Sequence, residues 1–263
     1  MGALGGDSLA LKREFDSRDE MGLSPHRNAN ENAGILPVWR SQSGLSLAIG
    51  ANGEFRSSVA VSSWQAAAKR LFDIVAAAAA LVCLGPLMLL VALAIRMESS
   101  GPVLFSQERE GKDRVPFRVL KFRSMQVTRC DASGVRQTRR DDPRVTRVGR
   151  FIRRTSIDEL PQLINIIKGD MSLVGPRPHV PGMLAAGREY RDLVEYYDLR
   201  LLVRPGLTGW AQANGLRGPT TNSALARARV DHDLAYIQNF SLWLDLKIIL
   251  LTIRREFFSG SGH

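Results

Sequence analysis

The sequence of 263 residues contains little of what builds disulfide frameworks or zinc sites. Its two cysteines, Cys83 and Cys130, show no CxxC or Cys/His spacing, so we expect reduced thiols in a protein that faces the cytosol. The four histidines are scattered and no HExxH pattern occurs, which argues against zinc-dependent hydrolysis. The amino terminus has no apolar core followed by a small-residue cleavage site, so we predict no secretory signal.

Acidic residues are the minority among the charges. Lys and Arg number 36 against 26 Asp and Glu, and the formal net charge is +10. Such a balance implies an acidic partner: nucleic acid, an anionic membrane surface or a phosphorylated substrate. Residues 109–154 hold fifteen Lys or Arg and five Asp or Glu, so this window accounts for the whole excess. A solvated basic face is the alternative interpretation of the same window.

Bulky apolar residues are scarce at the beginning of the chain. Residues 1–63 are rich in Gly, Ser, Ala and Asn and show no sustained period of 2 or 3.6. A segment of this kind cannot bury enough apolar area to offset its chain entropy. We therefore predict a largely disordered amino-terminal extension.

A long apolar run fills residues 71–95, between Lys69-Arg70 and Arg96. A helix needs about 20 apolar residues to span a bilayer, so the run is long enough. Basic residues flank both of its ends, and both ends therefore satisfy the preference of Lys and Arg for the cytoplasmic side. Pro86, after Gly85, kinks or breaks a helix. We predict a membrane segment over 64–100 that enters, bends at Gly85 and Pro86 and returns; a straight crossing and a buried soluble helix are the alternatives.

Two short segments, 101–111 and 115–125, have turn residues around partly alternating apolar stretches and are predicted to be extended. Alternation would place Lys121 and Arg123 on one side of the second segment. Two cations on one side suit a diphosphate or a lipid headgroup. The alternative is an edge strand protected by charge.

The adjacent acids Asp158 and Glu159 precede a helical pattern. Apolar residues recur at spacings of three and four, which predicts a helix with one buried stripe; they are Leu160, Leu163, Ile164 and Ile167. Ser156 and Glu159 have the spacing of a capping box, Pro161 suits a helix start, and Gly169 suits its end. A helix amino terminus stabilises anionic groups. The acids are therefore either a reaction centre or ordinary complements of the helix dipole.

Three motifs together carry a family resemblance: residues 155–178, Lys-Phe-Arg-Ser-Met at 121–125 and Arg-Pro-Gly-Leu-Thr-Gly-Trp-Ala-Gln at 204–212. Over roughly residues 65–257 the chain resembles the bacterial sugar transferases, the monotopic polyprenyl-phosphate phosphoglycosyl transferases that begin exopolysaccharide assembly. The resemblance implies a mainly α fold with short β segments (α+β), a re-entrant membrane helix and a cytosolic catalytic domain at 101–258. It also implies a place in the bacterial inner membrane.

The resemblance further implies that a sugar 1-phosphate, expected to be a hexose phosphate, passes from a UDP-sugar to undecaprenyl phosphate with release of UMP. In this family the aspartate of the Asp-Glu pair is the covalent nucleophile, here Asp158, and Glu159 would assist. Mg2+ would offset the repulsion between the carboxylate and the diphosphate, with Asp158 and Glu159 as its protein ligands. Phosphate-binding candidates are arginines and one lysine: Lys121, Arg123, Arg153, Arg154, Arg177 and Arg204.

Other features leave alternatives open. The relatives break the membrane helix at Ser-Pro where this chain has Gly85 and Pro86, so re-entrance is expected from proline and glycine alone. The run 236–258 suits an interfacial amphipathic helix or a core helix. Trp210 would stack on uracil, sit at the membrane or pack in the core. Membrane lipid is an expected partner, and a homo-oligomer is possible. The basic window lacks the motifs of nucleic-acid binders, so we expect no nucleic-acid partner. The alternative function is a non-enzymatic membrane scaffold or a membrane-tethered nucleic-acid binder.

Overall fold

The computed structural model describes residues 39–40, 46–49, 55–57, 63–126, 142–218, 220 and 222–259. The chain divides into two compact units, Met1–Val61 and Ser62–His263. In the first unit, three short antiparallel strands are described, where the sequence predicts no regular element: β1 (Trp39–Arg40), β2 (Ser46–Ile49) and β3 (Phe55–Ser57). The disorder expected for the rest of the extension concerns residues outside those described.

The second unit is mostly helical with a few short strands, which confirms the predicted mixture of helix and short β segments. Its helices are α1 (Ser63–Glu98), α2 (Arg147–Arg154), α3 (Gln162–Lys168), α4 (Tyr190–Leu193), α5 (Trp210–Ala213), α6 (Ser223–Gln238) and α7 (Leu242–Ser259), with short 3-10 helices at Lys112–Arg114, Ile157–Glu159 and Tyr197–Leu202. Its strands are β4 (Leu104–Glu110), β5 (Pro116–Phe122), β6 (Ser172–Val174), β7 (Leu184–Ala185), β8 (Arg188–Glu189) and β9 (Gly206–Thr208).

Helix α1 contains the apolar run and continues through Gly85 and Pro86. Its alanines and leucines are strong helix formers, and 36 residues extend over about 54 Å at about 1.5 Å per residue. Among the described residues, this is the one helix long and apolar enough to cross a membrane. The predicted bend and return to the same face stay a prediction.

Both ends of α1 are fixed to the same globular part of the chain. Near its beginning, buried Asp73 accepts hydrogen bonds from Ser172 Oγ at 2.7 Å and from Leu173 N at 3.1 Å. At its end, the Glu98 carboxylate accepts from Arg147 N at 2.7 Å and so caps the amino terminus of α2. Both ends of the helix therefore contact the same globular part.

The side of α1 that faces the globular part contributes to two apolar clusters. Ala77 packs with Val119 of β5 and with Leu163, Ile166 and Met171. Val91 and Ile95 pack with Phe122 and Ile152. The opposite side leaves large apolar side chains exposed, as expected of a helix whose second face contacts lipid or another apolar surface: Leu71, Val75, Val82, Leu89, Leu90, Leu93 and Met97.

The carboxy-terminal run combines both predicted alternatives. Helix α6 ends at Gln238 and α7 begins at Leu242. Ile248 is fully buried, whereas Trp243 and Leu250 keep 76% and 58% of their surface exposed. One face of α7 therefore packs in the core and the other presents apolar side chains to the surroundings. Trp210 is half-buried at the start of α5, with Lys247 Nζ 5.9 Å from its ring.

Strands β4 and β5 form an antiparallel hairpin whose register brings two cations together. Arg109 lies opposite Phe117, and Lys121 lies opposite Phe105. Directly opposed residues share a face and alternate along each strand, so Arg109 and Lys121 belong to the same face of the hairpin. Arg123 lies one residue beyond the end of β5, and its backbone N donates to Val103 O at 2.9 Å. Its place on the same side as Lys121 stays a prediction.

Helix α3 differs from its prediction at its start and in its buried face. Ser156 makes no side-chain cap hydrogen bond, so the predicted capping box does not form, and the helix begins at Gln162 after Pro161. Of the predicted stripe, Leu163 is buried, Leu160 and Ile164 are half-buried, and Ile167 is exposed. The other buried residues of the helix are Gln162, Asn165 and Ile166. Gly169 ends the helix in the left-handed conformation (φ 102°), as predicted.

Strands β6 and β9 pair in parallel and join two loops that carry predicted binding residues. Gly206 N donates to Pro176 O at 2.9 Å, and Gly175 N donates to Thr208 O at 2.9 Å. A Cβ atom on Gly206 would lie 2.1 Å from Gly175 N, so only glycine permits this approach. The loop after β6 is therefore held by the backbone of the Arg-Pro-Gly segment.

Candidate active site

Asp158 and Glu159 lie on the 3-10 helix Ile157–Glu159, between α2 and α3. Ser156, which precedes this turn, has a left-handed backbone (φ 54°). Such a conformation is costly for a residue with a Cβ atom, and conformations of this kind cluster at functional sites. The strained residue directs the chain from α2 into the acidic turn.

Glu159 lies between two cations from different elements. Lys121 Nζ of β5 donates to Glu159 Oε1 at 2.7 Å, and the Arg177 guanidinium donates to both carboxylate oxygens, with Nη1 3.2 Å from Oε2. Burial opposes ionisation of Glu159, but the charges and hydrogen bonds of Arg177 and Lys121 outweigh it and hold its pKa well below the usual range. Glu159 is thus a permanently ionised anchor for these two cations.

Asp158 has a different environment from its neighbour. Within the described part of the chain, it makes no hydrogen bond or ion pair, and its side chain is half-buried. Burial is the main cause that raises the pKa of Asp158 to about 6; Lys121 lowers it and Glu159 raises it further. The environments of the two adjacent carboxylates therefore shift their pKa values in opposite directions.

The loop that carries Arg177 is fixed through its carbonyl groups. Arg200 Nη2 donates to Arg177 O at 2.6 Å, and Arg109 Nη1 donates to Pro178 O at 3.3 Å. Arg200 itself is buried and bound by Asp233 Oδ2 at 2.7 and 2.9 Å. The backbone of Arg177 is thereby held while its side chain reaches Glu159.

The structure brings some of the predicted binding residues to this point and places others elsewhere. Lys121 and Arg177 meet at Glu159, and the charge of half-buried Arg153 lowers the pKa of Asp158. Arg154 is exposed on the same helix.

Arg123 and Arg204 do not join this group through the contacts they make. Arg123 is buried and donates to the carbonyl oxygens of Ser99 and Ser100, directly after α1. Arg204 is exposed and donates to Gly169 O at 2.9 Å. Both arginines satisfy carbonyl groups at helix ends, so their observed contacts are structural.

Sequence reasoning missed Arg109, Gln162 and Arg217. Arg109 and Gln162 line a small cavity together with Val119, Lys121, Arg177 and Pro178. Burial lowers the pKa of Arg217, and the charge of Arg177 lowers it further, so Arg217 faces the same region. The alternation of side chains along the two predicted extended segments could have identified Arg109 as a neighbour of Lys121. Gln162 and Arg217 have no comparable signal in the sequence.

The same residues can be tested for a divalent cation. No group of three or more His, Cys, Asp or Glu side chains is close enough to hold a metal ion among the residues that the structure describes. Mg2+, however, binds through one or two carboxylates together with substrate phosphates. Asp158 fits this requirement, whereas both Glu159 oxygens are engaged by Lys121 and Arg177.

Comparison with known proteins identifies the family of the chain. The model of the family described as bacterial sugar transferase matches residues 64–259. The chain belongs to this family. The matched range of the sugar transferase contains both motif loops, the acidic turn and the three long helices, and leaves out the amino-terminal unit.

Three relatives illustrate how far the likeness extends. The chain is 54% identical over 203 residues, 77% of its length, to an undecaprenyl-phosphate glucose phosphotransferase of Komagataeibacter xylinus, but spans only 38% of that protein. It is 48% identical over 195 residues, 74% of its length, to the UDP-glucose:undecaprenyl-phosphate glucose-1-phosphate transferase of Escherichia coli K12, spanning 41% of it. An exopolysaccharide production protein of Rhizobium leguminosarum bv. phaseoli is 52% identical over 194 residues, 74% of this chain and 97% of the relative.

Proposed function

We propose that this sugar transferase moves a hexose 1-phosphate from a UDP-sugar to undecaprenyl phosphate and releases UMP, as the first membrane step of exopolysaccharide synthesis. Two of the relatives are named for glucose transfer to undecaprenyl phosphate, which makes UDP-glucose the first donor to test. The relative of similar length is named for exopolysaccharide production.

The contrast between the two acids carries the proposal. Glu159 is held by Lys121 and Arg177, while Asp158 has no such partner in the described residues and has a pKa of about 6 because of its burial. An unengaged carboxylate beside partly buried cations is suited to attack on an anionic phosphorus, because the cations offset the charge of the substrate. If Asp158 only complemented the dipole of the helix, neither Lys121 nor Arg177 would be needed beside it.

The reaction proceeds in two displacements at one phosphorus. A carboxylate oxygen of Asp158 bonds to the sugar-bearing phosphorus, and the bond from this phosphorus to the bridging oxygen breaks, so that UMP leaves with the electron pair. An oxygen of undecaprenyl phosphate then bonds to the same phosphorus, and the bond to Asp158 breaks. The products are undecaprenyl diphosphate sugar and a regenerated carboxylate. Dividing one difficult displacement into two is the advantage of covalent catalysis.

In the proposed reaction, Asp158 would hold Mg2+ together with the phosphates of the substrate. When bound, it neutralises phosphate charge and orients the diphosphate. Lys121 and Arg177 contribute fixed positive charge at the same place, and Glu159 keeps both cations in position. The proposed role of Glu159 is therefore to position these cations.

The surfaces of α1 and α7 support the proposed membrane arrangement. Both ends of α1 contact the globular part, and α1 and α7 each leave apolar side chains exposed. We propose that these surfaces enter one leaflet of the bacterial inner membrane, with α1 bent at Gly85 and Pro86. The catalytic part then faces the cytoplasm, where UDP-sugars are made, and meets the lipid phosphate at the membrane surface.

Isolation of the covalent intermediate tests the function directly. The full chain in membranes would be incubated with UDP-glucose labelled in the sugar, without undecaprenyl phosphate. The expected result is one labelled sugar phosphate per protein, located at Asp158, with an equal amount of UMP. Addition of undecaprenyl phosphate should transfer the label to lipid.

Asp158→Asn is expected to remove labelling and UMP release while membrane association persists. Asp192→Asn, at an exposed position on α4, is the matched control and should label like the original chain. UMP release by Asp158→Asn at the original rate would refute the covalent mechanism. Absence of turnover by the original chain across a panel of UDP-sugars would favour a membrane scaffold or a nucleic-acid binder.

A further inference from the structure

Arg109 is a cation of the site that the function proposed above leaves without a role. It lies on β4, one strand away from Lys121 and on the same face of the hairpin. Gln107 Oε1 accepts from Arg109 Nη2 at 2.6 Å, and Pro178 O accepts from Nη1 at 3.3 Å. These two neutral acceptors fix the guanidinium beside the loop that carries Arg177.

No carboxylate forms a hydrogen bond or ion pair with Arg109 among the described residues, although the charge of Glu159 acts on it. Its two observed partners are an amide and a backbone carbonyl, and its buried Nε has no hydrogen-bond partner in the described structure. Burial, together with the charge of Arg177, lowers the pKa of Arg109 to about 10. A buried cation in such surroundings is costly unless an anion joins it.

The charges around the cavity are unequal. Arg109, Lys121 and Arg177 line it, and Glu159 is the one carboxylate bound to any of them in the described structure. Three positive charges thus face one negative charge, and an ionised Asp158 does not remove the excess. A cavity lined in this way favours an anionic ligand with several oxygen atoms.

We propose that Arg109 is a phosphate-binding residue of this site, which donates to a phosphoryl oxygen of the substrate beside Lys121 and Arg177. The inference rests on the proposed function, since the phosphate is that of the UDP-sugar or that of undecaprenyl phosphate. Gln107 is a positioning residue that orients the guanidinium. A lysine at position 109 would keep the positive charge but would lack the planar guanidinium group that reaches both Gln107 Oε1 and Pro178 O.

Steady-state kinetics of the full chain separate this role from a purely structural one. For Arg109→Gln we expect the KM of one phosphate substrate to rise about tenfold, the typical effect of a lost charge-assisted hydrogen bond, with kcat changed less than threefold. Arg109→Lys should restore part of the loss. Arg188→Gln removes one exposed charge from β8 and should leave both KM values unchanged. A structural defect alone would lower the amount of active protein, and thus kcat, without raising KM.

Separate titrations of UDP-glucose and undecaprenyl phosphate identify the phosphate. A rise confined to the donor KM assigns Arg109 to the diphosphate, and a rise confined to the lipid KM assigns it to the acceptor. Values within twofold of the original chain for both substrates would overturn the inference. If Arg109→Gln does not fold, the substitution Gln107→Leu tests the role of Arg109 in its place. A rise of threefold or more in the KM of either substrate would support that role, and unchanged KM values for both substrates would overturn it.

Calorimetric titration with UDP keeps this test independent of turnover. If the original chain binds UDP but transfers no sugar, the proposed function fails while the role of Arg109 is still decided by binding. A weaker affinity in Arg109→Gln than in Arg188→Gln would then support it. Equal affinities for UDP and also for undecaprenyl phosphate, in a chain without turnover, would overturn it.

Discussion

The Arg177 guanidinium donates to both carboxylate oxygens of Glu159, and Lys121 Nζ shares one of them at 2.7 Å. This arrangement connects a strand, an acidic turn and the loop after β6 at one point. Because each of these elements comes from a different part of the chain, the position of Asp158 depends on the group as a whole. Glu159 is therefore expected to matter through its cations.

Replacement of Glu159 by glutamine should impair both stability and turnover. The neutral amide leaves Lys121 and Arg177 without an anionic partner, and we expect a loss of about 2 kcal/mol in the free energy of unfolding. Turnover should fall at least a hundredfold, because the cations no longer have fixed positions. Chemical denaturation and UMP release measure the two effects. Stability and turnover both close to the original values would show that the ion pairs are dispensable.

The acidic limb of the pH profile should report Asp158. Burial raises the pKa of Asp158 to about 6, whereas the pKa of Glu159 is held well below its usual range by Arg177 and Lys121 despite burial. The nucleophile must be ionised, so kcat/KM for the donor should fall about tenfold per pH unit below about pH 6. Lys121→Met removes a charge that lowers this pKa and should shift the limb to higher pH. An acidic limb centred near pH 4 would contradict the assignment.

The sequence predicted the long helix and the end of α3 at Gly169, because an apolar run and a glycine after a helical pattern are local signals. It did not predict the buried face of α3, since Asn165 uses its amide to accept from Leu120 N and donate to Arg118 O along β5. A polar residue that completes a strand edge has no periodic signature.

The site also depends on relationships that no single segment contains. Arg109 and Lys121 share a face only because of the hairpin register, and the support of Arg177 by Arg200 joins residues 23 positions apart. Such contacts depend on how elements pack, whereas sequence patterns describe one element at a time.

The buried pair Arg200 and Asp233 should stabilise the fold and position Arg177 as two separable effects. Both side chains are almost fully buried. Asp233→Ala leaves an unpaired buried charge and should cost about 3–5 kcal/mol of stability. The double replacement Arg200→Met with Asp233→Leu removes both charges and should recover most of this loss. Turnover should stay low, because Arg177 O loses its donor. Thermal melting and UMP release check the two effects, and full recovery of both would show that the pair acts only on stability.

The outer face of α7 should contact lipid in the membrane-bound protein. Trp243 is 76% exposed on this face beside Leu250, whereas Trp210 is half-buried. Tryptophan favours the membrane interface, so phospholipids brominated on their acyl chains should quench Trp243 in vesicles that contain the full chain. Trp243→Phe should remove a measurable share of the quenching, and the matched replacement Trp210→Phe should leave it nearly unchanged. Exposed Trp64, at the beginning of α1, accounts for quenching that persists. Equal quenching before and after Trp243→Phe would mean that α7 faces water and that α1 alone provides the membrane contact.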